Sequence, residues 1–395
     1  MAINGPDAPA SRRRAMINRR HAVSLAGAAL LFPGTSACGQ SRKDFPSRRP
    51  PLQELAGAAG LFFGAAAFRS EIQPGSPVRP LYERECALIV PEMELNWDHL
   101  VTEIDHQRME DYAGLVRGMG KSLHGHTLLW HLSVPRWVQD ALGEKPDWRI
   151  VASHIRSTIE RYGRDIKYWE VVNEPLDPGF RDDGLRGSVF LKAFGPDYIQ
   201  KALEEAAAAA PNARLLINEY GLDYDIPAER DRRRHMLRLL EKLLSAGAPL
   251  HGLGVQGHLD LQKSPFSQRA LADFLAEVAG MGLEIVITEL DVRERDLVET
   301  PAVRDQRVAA HVGQYLDAAL DHPAVKGVIT WGITDRHSWL DLTDEDMARF
   351  PQAWRDGSGP GLNRGLPFDS DLRPKPMREA IAAAFRRRAR AIRTG

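Results

Sequence analysis

Eight short apolar segments, separated by longer stretches of helical periodicity, constrain the fold of this chain more than any other feature. The segments are continuous apolar runs, as expected of strands that are buried on both faces of a sheet. They lie at residues 61–67, 86–90, 122–128, 167–173, 214–218, 252–258, 283–289 and 326–331. The helical patterns lie at 105–119, 149–161, 196–209, 229–246, 267–281, 302–320 and 375–393.

Strands that alternate with helices predict βαβ units and a parallel sheet. Eight is the number of strands that closes a parallel barrel. We therefore predict the α/β class and a single (β/α)8 TIM barrel, and a chain of 395 residues with 43% hydrophobic residues can bury such a core. The basic, amphipathic segment 375–393 is predicted to dock on the barrel as its last helix, in preference to binding a membrane surface.

The first 37 residues are predicted to be a signal peptide. An arginine-rich start ends in the pair Arg19-Arg20, and the apolar run 22–32 that follows is too short to span a bilayer. An arginine pair directly before the apolar run is typical of twin-arginine export signals. We therefore expect the protein to be periplasmic or extracellular.

The segment after the signal peptide is predicted to be a linker, residues 38–51, because it is rich in proline, arginine and serine. The barrel is expected to occupy residues 52–395. Cys38 follows a run of small residues, so lipid attachment to this cysteine stays open as an alternative to a soluble exported protein.

Charge and cysteine content exclude several classes of function. The net charge is −1 and no basic stripe is present, which argues against nucleic acid as a partner. The only cysteines are Cys38 and Cys86, so no cysteine-rich metal site is encoded and none is predicted. We expect a monomer without cofactors, in contact with a membrane only if Cys38 carries lipid.

Polar and aromatic residues collect at the C-terminal ends of the predicted strands, where (β/α)8 barrels place their catalytic groups. Two glutamates stand out among them: Glu174 lies in the string YWEVVNEP, and Glu289 lies in EIVITELD. Either alone could be an ordinary strand-end carboxylate, but a pair at one rim indicates glycosidic bond cleavage. The other residues at this rim are Glu92, His126, Trp130, Asn173, Asn218, Tyr220, Gln256, His258, Asp291, Trp331 and Trp339.

The proposed chemistry requires the two glutamates to differ. A β-glycoside has a poor leaving group, so one acid must stay protonated near neutral pH, which apolar or negatively charged surroundings favour. Glu174 has apolar neighbours on its strand, and the charge of Glu289 would make its surroundings negative as well. The nucleophile must stay ionised, and hydrogen-bond donors at its carboxylate would favour that form.

The strings GHTLLWH, WEVVNEP, ITELDV and WGITDRHSW resemble, in order and spacing, the patterns of glycoside hydrolase family 10, the family of retaining endo-β-1,4-xylanase barrels. The resemblance covers roughly residues 52–383. It implies an endo-1,4-β-xylanase that hydrolyses xylan or xylo-oligosaccharides by double displacement, with Glu174 as general acid/base and Glu289 as nucleophile.

The same resemblance implies the roles of the neighbouring residues. Asn173 would hold the 2-hydroxyl of the reacting sugar, and Trp331 and Trp339 would form an aromatic roof over it. His258 would hydrogen-bond the nucleophile, and Asp291 would orient that histidine, with Asn218 as a further support. The residues implied to bind substrate are Glu92, His126, Trp130, Asn173, Tyr220, Gln256, His258, Trp331 and Trp339.

Four residues depart from the family pattern. Met93 and Asn96 stand where the family usually has an asparagine and a lysine that contact the sugar beyond the reacting one. Glu219 and Gly221 flank Tyr220 where the family usually has aspartate and asparagine. The departures at Met93 and Asn96 predict weaker binding of the glycone or a different preferred sugar. The departures at Glu219 and Gly221 mean that the contacts of the leaving group are not predicted.

Three alternatives therefore accompany the xylanase interpretation. The departures at Met93 and Asn96 allow a non-catalytic or weakly active xylan-binding barrel, or a retaining β-glycosidase with altered glycone preference. The pair His124 and His126 resembles a metal-ligand pair, which allows a metal-dependent barrel hydrolase. No further histidine and carboxylate set at the strand ends completes a metal shell for that last alternative.

Overall fold

The computed structural model describes residues 49–179, 181–294, 298–341 and 363–394. The predicted signal peptide, Cys38 and most of the predicted linker lie outside these ranges. Within them, no helix combines the length and the apolar character needed to cross a membrane.

Ten parallel strands form in the described residues, and eight of them close into a barrel. In chain order they are β1 (Phe62–Ala67), β2 (Leu88–Pro91), β3 (Ser122–Gly125), β4 (Leu129–Trp130), β5 (Ile166–Asn173), β6 (Arg214–Glu219), β7 (Gly252–Val255), β8 (His258–Asp260), β9 (Glu284–Arg293) and β10 (Val325–Thr330). Strand β1 pairs with both β2 and β10, and β10 also pairs with β9, so the order returns to its start. The predicted (β/α)8 barrel is confirmed.

Two predicted strands are shorter than expected. The predicted strand 122–128 ends at Gly125, and β4 resumes separately as a partner of β5. The predicted strand 252–258 ends at Val255, and β8 resumes as a partner of β9. Both breaks fall where the apolar run gives way to polar residues, and at the second one Gly257 has a φ of +74°, which ends an extended ladder.

Twelve α-helices lie in the described residues. They are α1 (Leu52–Ala58), α2 (Arg69–Ile72), α3 (Arg79–Glu85), α4 (Glu103–Gly118), α5 (Arg136–Glu144), α6 (Trp148–Tyr162), α7 (Val189–Phe194), α8 (Tyr198–Ala209), α9 (Pro227–Ser245), α10 (Gln268–Gly280), α11 (Pro301–Leu320) and α12 (Pro376–Thr394). All seven predicted helices form. The sequence analysis missed α1, α2, α3, α5 and α7, which are too short to show a clear period. The predicted strand 86–90 starts too early: Cys86 caps the C-terminal end of the missed helix α3, and β2 begins at Leu88.

The barrel interior carries an apolar cluster that supports the rim. Its buried members are Ala66, Leu88, Val90, Tyr168, Leu216, Val286 and Ile329. The partly buried Trp331, one of the predicted site residues, packs against this cluster. Helix α12 docks on the barrel as predicted: Phe385 is fully buried, and the buried Arg378 guanidinium lies 3.1 Å from the Glu85 carboxylate.

Candidate active site

The two predicted catalytic glutamates lie in one layer of the barrel mouth. Glu174 directly follows β5, Glu289 lies in β9, and strands β6 and β7 separate them. Backbone hydrogen bonds fix both positions: Glu174 N–H donates to Asn218 O at 2.8 Å, and Glu289 N–H donates to Gln256 O at 2.8 Å. Both side chains are buried, so their chemistry is set by their neighbours rather than by bulk water.

The Glu289 carboxylate has a donor on each oxygen. Asn218 Nδ2 donates to Oε1 at 2.7 Å, and His258 Nε2 lies 3.0 Å from Oε2. Thr288 holds the Asn218 amide by donating to its Oδ1 at 2.7 Å. A Cβ at Gly254 would lie 2.2 Å from that same Oδ1, so β7 needs glycine there to make room for the amide. Such donors stabilise a carboxylate in its ionised form.

His258 is held between two carboxylates. Its Nδ1 lies 2.8 Å from Asp291 Oδ1, and the other Asp291 oxygen accepts a hydrogen bond of 2.6 Å from Trp339 Nε1. Burial opposes a charge on the imidazole, but the Asp291 and Glu289 carboxylates outweigh it and raise the pKa of His258 to about 10. His258 is therefore protonated near neutral pH and donates one N–H to each carboxylate.

Glu174 has a sparser environment. Gln256 Nε2 donates to its Oε1 at 3.2 Å. Its Oε2 is buried without a hydrogen-bond partner in the described residues, and so are Trp130 Nε1 and His131 Nδ1. His131 Nδ1 lies 4.0 Å from that oxygen. These three polar atoms leave a place beside Glu174 where a ligand oxygen can be hydrogen-bonded.

The Glu174 carboxyl group is suited to hold a proton. Burial raises the pKa of Glu174, and the charge of Glu289 adds to the rise. The Trp130 indole and the Arg186 guanidinium oppose it, but the net shift is upward. A carboxyl group with this environment can act as a general acid at a pH where an exposed glutamate is ionised.

A chain of amides connects the two glutamates. Asn173 Oδ1 accepts from Asn218 Nδ2 at 3.0 Å and from Gln256 Nε2 at 3.3 Å. Asn218 also donates to Glu289, and Gln256 also donates to Glu174. Because its oxygen is already engaged, the part of the Asn173 amide left to bind a sugar hydroxyl is its N–H₂ group, which can only donate.

Aromatic rings surround the histidines of the site. The Trp331 ring centre lies 5.0 Å from that of His126 and 6.3 Å from that of His258, and Trp339 lies 5.2 Å from His258. The structure thus brings together the two tryptophans that the sequence predicted as a roof. Indole rings offer the flat apolar surface that the face of a sugar ring requires.

Glu170 is a site residue that the sequence analysis missed. Its carboxylate is buried at the centre of β5, with His124 Nε2 at 2.8 Å and His126 Nδ1 at 2.7 Å. Despite burial, these histidines lower the pKa of Glu170 to about 2, and Glu170 in turn raises the pKa of His126 against its own burial. A carboxylate in the middle of an otherwise apolar part of the strand was the available signal, because a buried carboxylate requires partners.

Arg186 and Arg232 form a second missed feature, around Tyr220. Arg186 donates to Glu174 O at 2.9 Å and to the Tyr220 hydroxyl at 2.8 Å, and Arg232 lies over the Tyr220 ring at 4.3 Å. Both guanidinium groups also donate to Leu176 O, at 2.7 and 2.9 Å. They hold Tyr220 beside the backbone of Glu174. Arg186 lies in a loop without periodicity, so the sequence offered no signal for it.

The loop after β2 contains the other predicted residues. Glu92 is buried, and burial together with the charges of Glu71 and Glu94 raises the pKa of Glu92 well above its usual range. Asn96 is 2% exposed, and its Oδ1 has no hydrogen-bond partner in the described part of the chain. The effect of Met93 and Asn96 on sugar binding stays a prediction.

One group of three potential metal ligands occurs in the described ranges. Ligand atoms of His126, Glu170 and Glu289 lie within 4.8 Å of one another. The Glu170 oxygens are already hydrogen-bonded to His124 and His126, and both Glu289 oxygens also have partners. This arrangement explains the two histidines as partners of a carboxylate, so the metal-ligand interpretation of His124 and His126 loses its motivation.

Comparisons with known proteins agree with this geometry. Residues 51–384 match the sequence profile of glycosyl hydrolase family 10. Endo-1,4-beta-xylanase C of Phanerodontia chrysosporium is 32% identical over 86% of this chain and 80% of its own length. Endo-1,4-beta-xylanase B of Thermotoga neapolitana is 28% identical over 85% of this chain and 92% of its own length. The crystal structure of xylanase 10B from Thermotoga maritima superposes with a TM-score of 0.72 at 28% identity, over 86% of this chain and 99% of that one.

Proposed function

The chain belongs to glycosyl hydrolase family 10, and we propose that it is a retaining endo-1,4-β-xylanase that acts on xylan or xylo-oligosaccharides. The observation that carries the proposal is the difference between the two carboxyl groups. Glu289 has a donor on each oxygen, whereas burial keeps Glu174 suited to hold a proton. Retaining hydrolysis needs one carboxylate as nucleophile and one neutral acid.

In the first step, Glu289 attacks the anomeric carbon of the xylose unit. The bond from that carbon to the glycosidic oxygen breaks, and Glu174 gives its proton to the departing oxygen. The products of this step are a shortened xylan chain with a free hydroxyl and an ester between the sugar and Glu289. His258 stays protonated, keeps its hydrogen bond to Asp291 and orients the nucleophile Glu289.

In the second step, a water molecule replaces the leaving chain beside Glu174. Glu174, now ionised, takes a proton from this water as its oxygen attacks the anomeric carbon. The ester bond to Glu289 breaks, and both carboxyl groups return to their starting states. Two displacements at one carbon retain its configuration.

Three groups of neighbours support the same assignment. The N–H₂ group of Asn173, whose oxygen is already hydrogen-bonded, would hold the 2-hydroxyl of the reacting sugar, beside His126, Trp130 and Gln256. Trp331 and Trp339 would cover that sugar. Tyr220 would contact the leaving chain, and Glu92 would contact the sugar beyond the reacting one, where Met93 and Asn96 alter the contacts.

Residues 1–37 would export the enzyme through a twin-arginine signal, and residues 38–51 would link it to the catalytic barrel, residues 52–395. Arg19-Arg20 directly before the apolar run supports this part of the proposal. Replacing both arginines with lysine should retain the protein in the cytoplasm. Export of that variant at the wild-type level would contradict a twin-arginine route.

The test of the activity is product analysis on xylan and on linear xylo-oligosaccharides. We expect internal cleavage of xylan to short xylo-oligosaccharides, with the newly formed reducing ends initially in the β configuration by proton NMR. Release of the α anomer first would indicate inversion, and absence of cleavage would favour the non-catalytic alternative.

A further inference from the structure

The backbone of Glu174 adopts a conformation that residues other than glycine rarely take. Its φ is +54°, in the left-handed region, where the Cβ atom crowds the following carbonyl oxygen. In the described ranges, Leu372 is the one other non-glycine residue with a positive φ. A turn of this kind persists only where the surrounding structure holds it. The proposed proton donor therefore lies on a turn that neighbouring groups must fix.

Arg186 supplies the hydrogen bonds on the carbonyl side of this turn, residues 174–177. Its backbone N–H donates to Pro175 O at 2.7 Å. Its guanidinium group donates from Nε to Glu174 O at 2.9 Å and from Nη2 to Leu176 O at 2.7 Å. One residue thus bonds three successive carbonyl groups, and a planar guanidinium suits this because its N–H groups point in fixed directions.

The N–H side of the turn is held by β6 instead. Glu174 N–H donates to Asn218 O at 2.8 Å. Leu176 N–H donates to the side chain of Glu219, with Oε2 at 2.9 Å. Neither contact involves Arg186. Replacing the arginine side chain would therefore loosen the turn at Glu174 O without detaching it from the barrel.

The charge of Arg186 also acts on the proton of Glu174. Burial raises the pKa of Glu174, and the positive charge of Arg186 opposes that rise. At His131 the same charge acts together with burial, and the pKa falls to about 3. A nearby positive charge favours the ionised form of a carboxyl group, so Arg186 makes Glu174 a stronger acid than burial alone would leave it.

We propose that Arg186 is a positioning residue for the proton donor: its guanidinium group fixes the turn that carries Glu174, and its charge favours release of the Glu174 proton to the departing oxygen. The inference rests on the proposed xylanase function and adds a residue through which the acid acts. The two parts can be separated by substitution. Lysine keeps the charge but not the planar group, whereas glutamine loses both.

A second contact of Arg186 must be separated from this role. Its Nη2 also donates to the Tyr220 hydroxyl at 2.8 Å, and Tyr220 would contact the leaving chain. A loss of activity on xylan alone could therefore come from a displaced Tyr220. Substrates that differ in their need for a proton, but not in the shape of the leaving group, distinguish the two causes.

The first measurement is kcat/KM on two aryl xylobiosides of similar shape, which reports the first displacement. One releases 4-methylphenol, which needs a proton from Glu174, and the other releases the more acidic 4-nitrophenol, which needs little protonation. Arg186→Lys and Arg186→Gln should each lower kcat/KM about tenfold on the methylphenyl compound and less than about twofold on the nitrophenyl compound. A displaced Tyr220 would lower both values alike.

The second measurement is the pH dependence of kcat/KM on the methylphenyl compound. Its alkaline fall should move to higher pH in Arg186→Gln, because loss of the positive charge raises the pKa of Glu174, and should stay in place in Arg186→Lys. The control is Arg181→Gln in the same loop, whose guanidinium lies 2.7 Å from Asp183 and which should show neither effect. Arg186→Lys provides the test with the two aryl compounds if Arg186→Gln does not fold.

Equal losses on the two aryl xylobiosides would overturn the proposal, because the arginine would then not act through the acid. An alkaline fall that Arg186→Gln leaves in place, or moves to lower pH, would also overturn it. Failure of the wild-type enzyme to cleave both linear xylo-oligosaccharides and the aryl xylobiosides is a separate result that would count against the xylanase function itself.

Discussion

Glu289 and Glu174 are almost equally buried, at 4% and 3% exposure, yet the donors at their carboxyl groups differ. Glu289 receives N–H groups from Asn218 and from the protonated His258, one at each oxygen. At Glu174, the neutral amide of Gln256 donates to one oxygen, and the other oxygen meets no hydrogen-bond criterion in the described residues, although the Trp130 indole is near enough to lower the pKa of Glu174. Burial alone would raise the proton affinity of any carboxyl group, so the donors distinguish the two.

The comparison shows how one barrel rim can hold an acid and a nucleophile together. The protonated His258 can stay beside Glu289 because Asp291 offsets its charge and fixes its ring. Among the described residues, no lysine or arginine forms an ion pair with the Glu174 carboxyl group, and Arg186 Nε donates to the backbone oxygen of Glu174 at 2.9 Å. Changes that remove this asymmetry should therefore affect activity more than changes that preserve it.

The largest effect is expected from removal of the nucleophile. Glu289→Ala should lower kcat on every substrate by about 10⁴-fold or more, because no covalent intermediate can form. Steady-state hydrolysis of xylan and of an aryl xylobioside measures it. Glu284→Ala is the matched control, because Glu284 begins the same strand, contacts Arg214 and lies outside the site. Comparable losses in both variants would indicate a damaged strand rather than a lost nucleophile.

A smaller, substrate-dependent effect is expected at the acid. Glu174→Ala should lower kcat on xylan by about 10²- to 10⁴-fold, the usual contribution of a general acid. Formation of the glycosyl-enzyme from an aryl xylobioside with a good leaving group should survive, because that oxygen needs little protonation. Azide should then restore turnover and give the β-glycosyl azide. Formation of the β-glycosyl azide by Glu289→Ala but not by Glu174→Ala would mean that the two roles are exchanged, because loss of the nucleophile allows only the α-glycosyl azide.

A still smaller effect on catalysis is expected from Glu170, which acts through His126. Glu170→Gln removes the charge that His124 and His126 share, and we expect kcat/KM to fall about tenfold to a hundredfold. Loss of one partner of a buried ionic group should also lower the free energy of unfolding by about 3–5 kcal/mol. Glu170→Asp keeps the charge and should recover part of both losses.

The difference in the free energy of unfolding between the wild-type protein and Glu170→Gln should decrease as the pH falls. The pKa of Glu170 is lowered to about 2, so its contribution is complete above the ordinary glutamate range and is lost as the pH falls towards 2. Urea unfolding at pH 7 and at pH 3 should therefore show a smaller gap between the wild-type protein and Glu170→Gln at pH 3. A gap that widens at low pH would contradict an ionised Glu170.

The smallest effect is expected in the pH dependence of kcat/KM. Since the proposed mechanism needs Glu174 protonated and its pKa is raised, kcat/KM should persist above the usual glutamate range and fall as the pH passes the raised pKa. In Glu174→Ala, tested on an aryl xylobioside with a good leaving group, that fall should be absent. If the alkaline fall persists in the variant, the proton donor is another group.

The sequence predicted the barrel because its strands are apolar runs, which is the property that places them in the core. It predicted Glu174, Glu289, His258 and Asp291 because polar residues at strand ends share one rim. The sequence could not reveal Arg186, whose loop has no period, or the unpartnered side of Glu174, which depends on the paths of separate segments. Strand ends were misplaced at His126 and Gln256 because these polar side chains turn into the site where the ladder stops.

The most direct test of the account is to trap the covalent intermediate. An activated 2-deoxy-2-fluoro-xylobioside should inactivate the enzyme by slowing hydrolysis of the glycosyl-enzyme more than its formation. Mass spectrometry of the digested protein should then show one added fluoroxylobiosyl group, on the peptide that contains Glu289 and on that residue. Attachment to Glu174 or to any other residue would contradict the assignment of nucleophile and acid, and inactivation without a covalent adduct would contradict the double displacement.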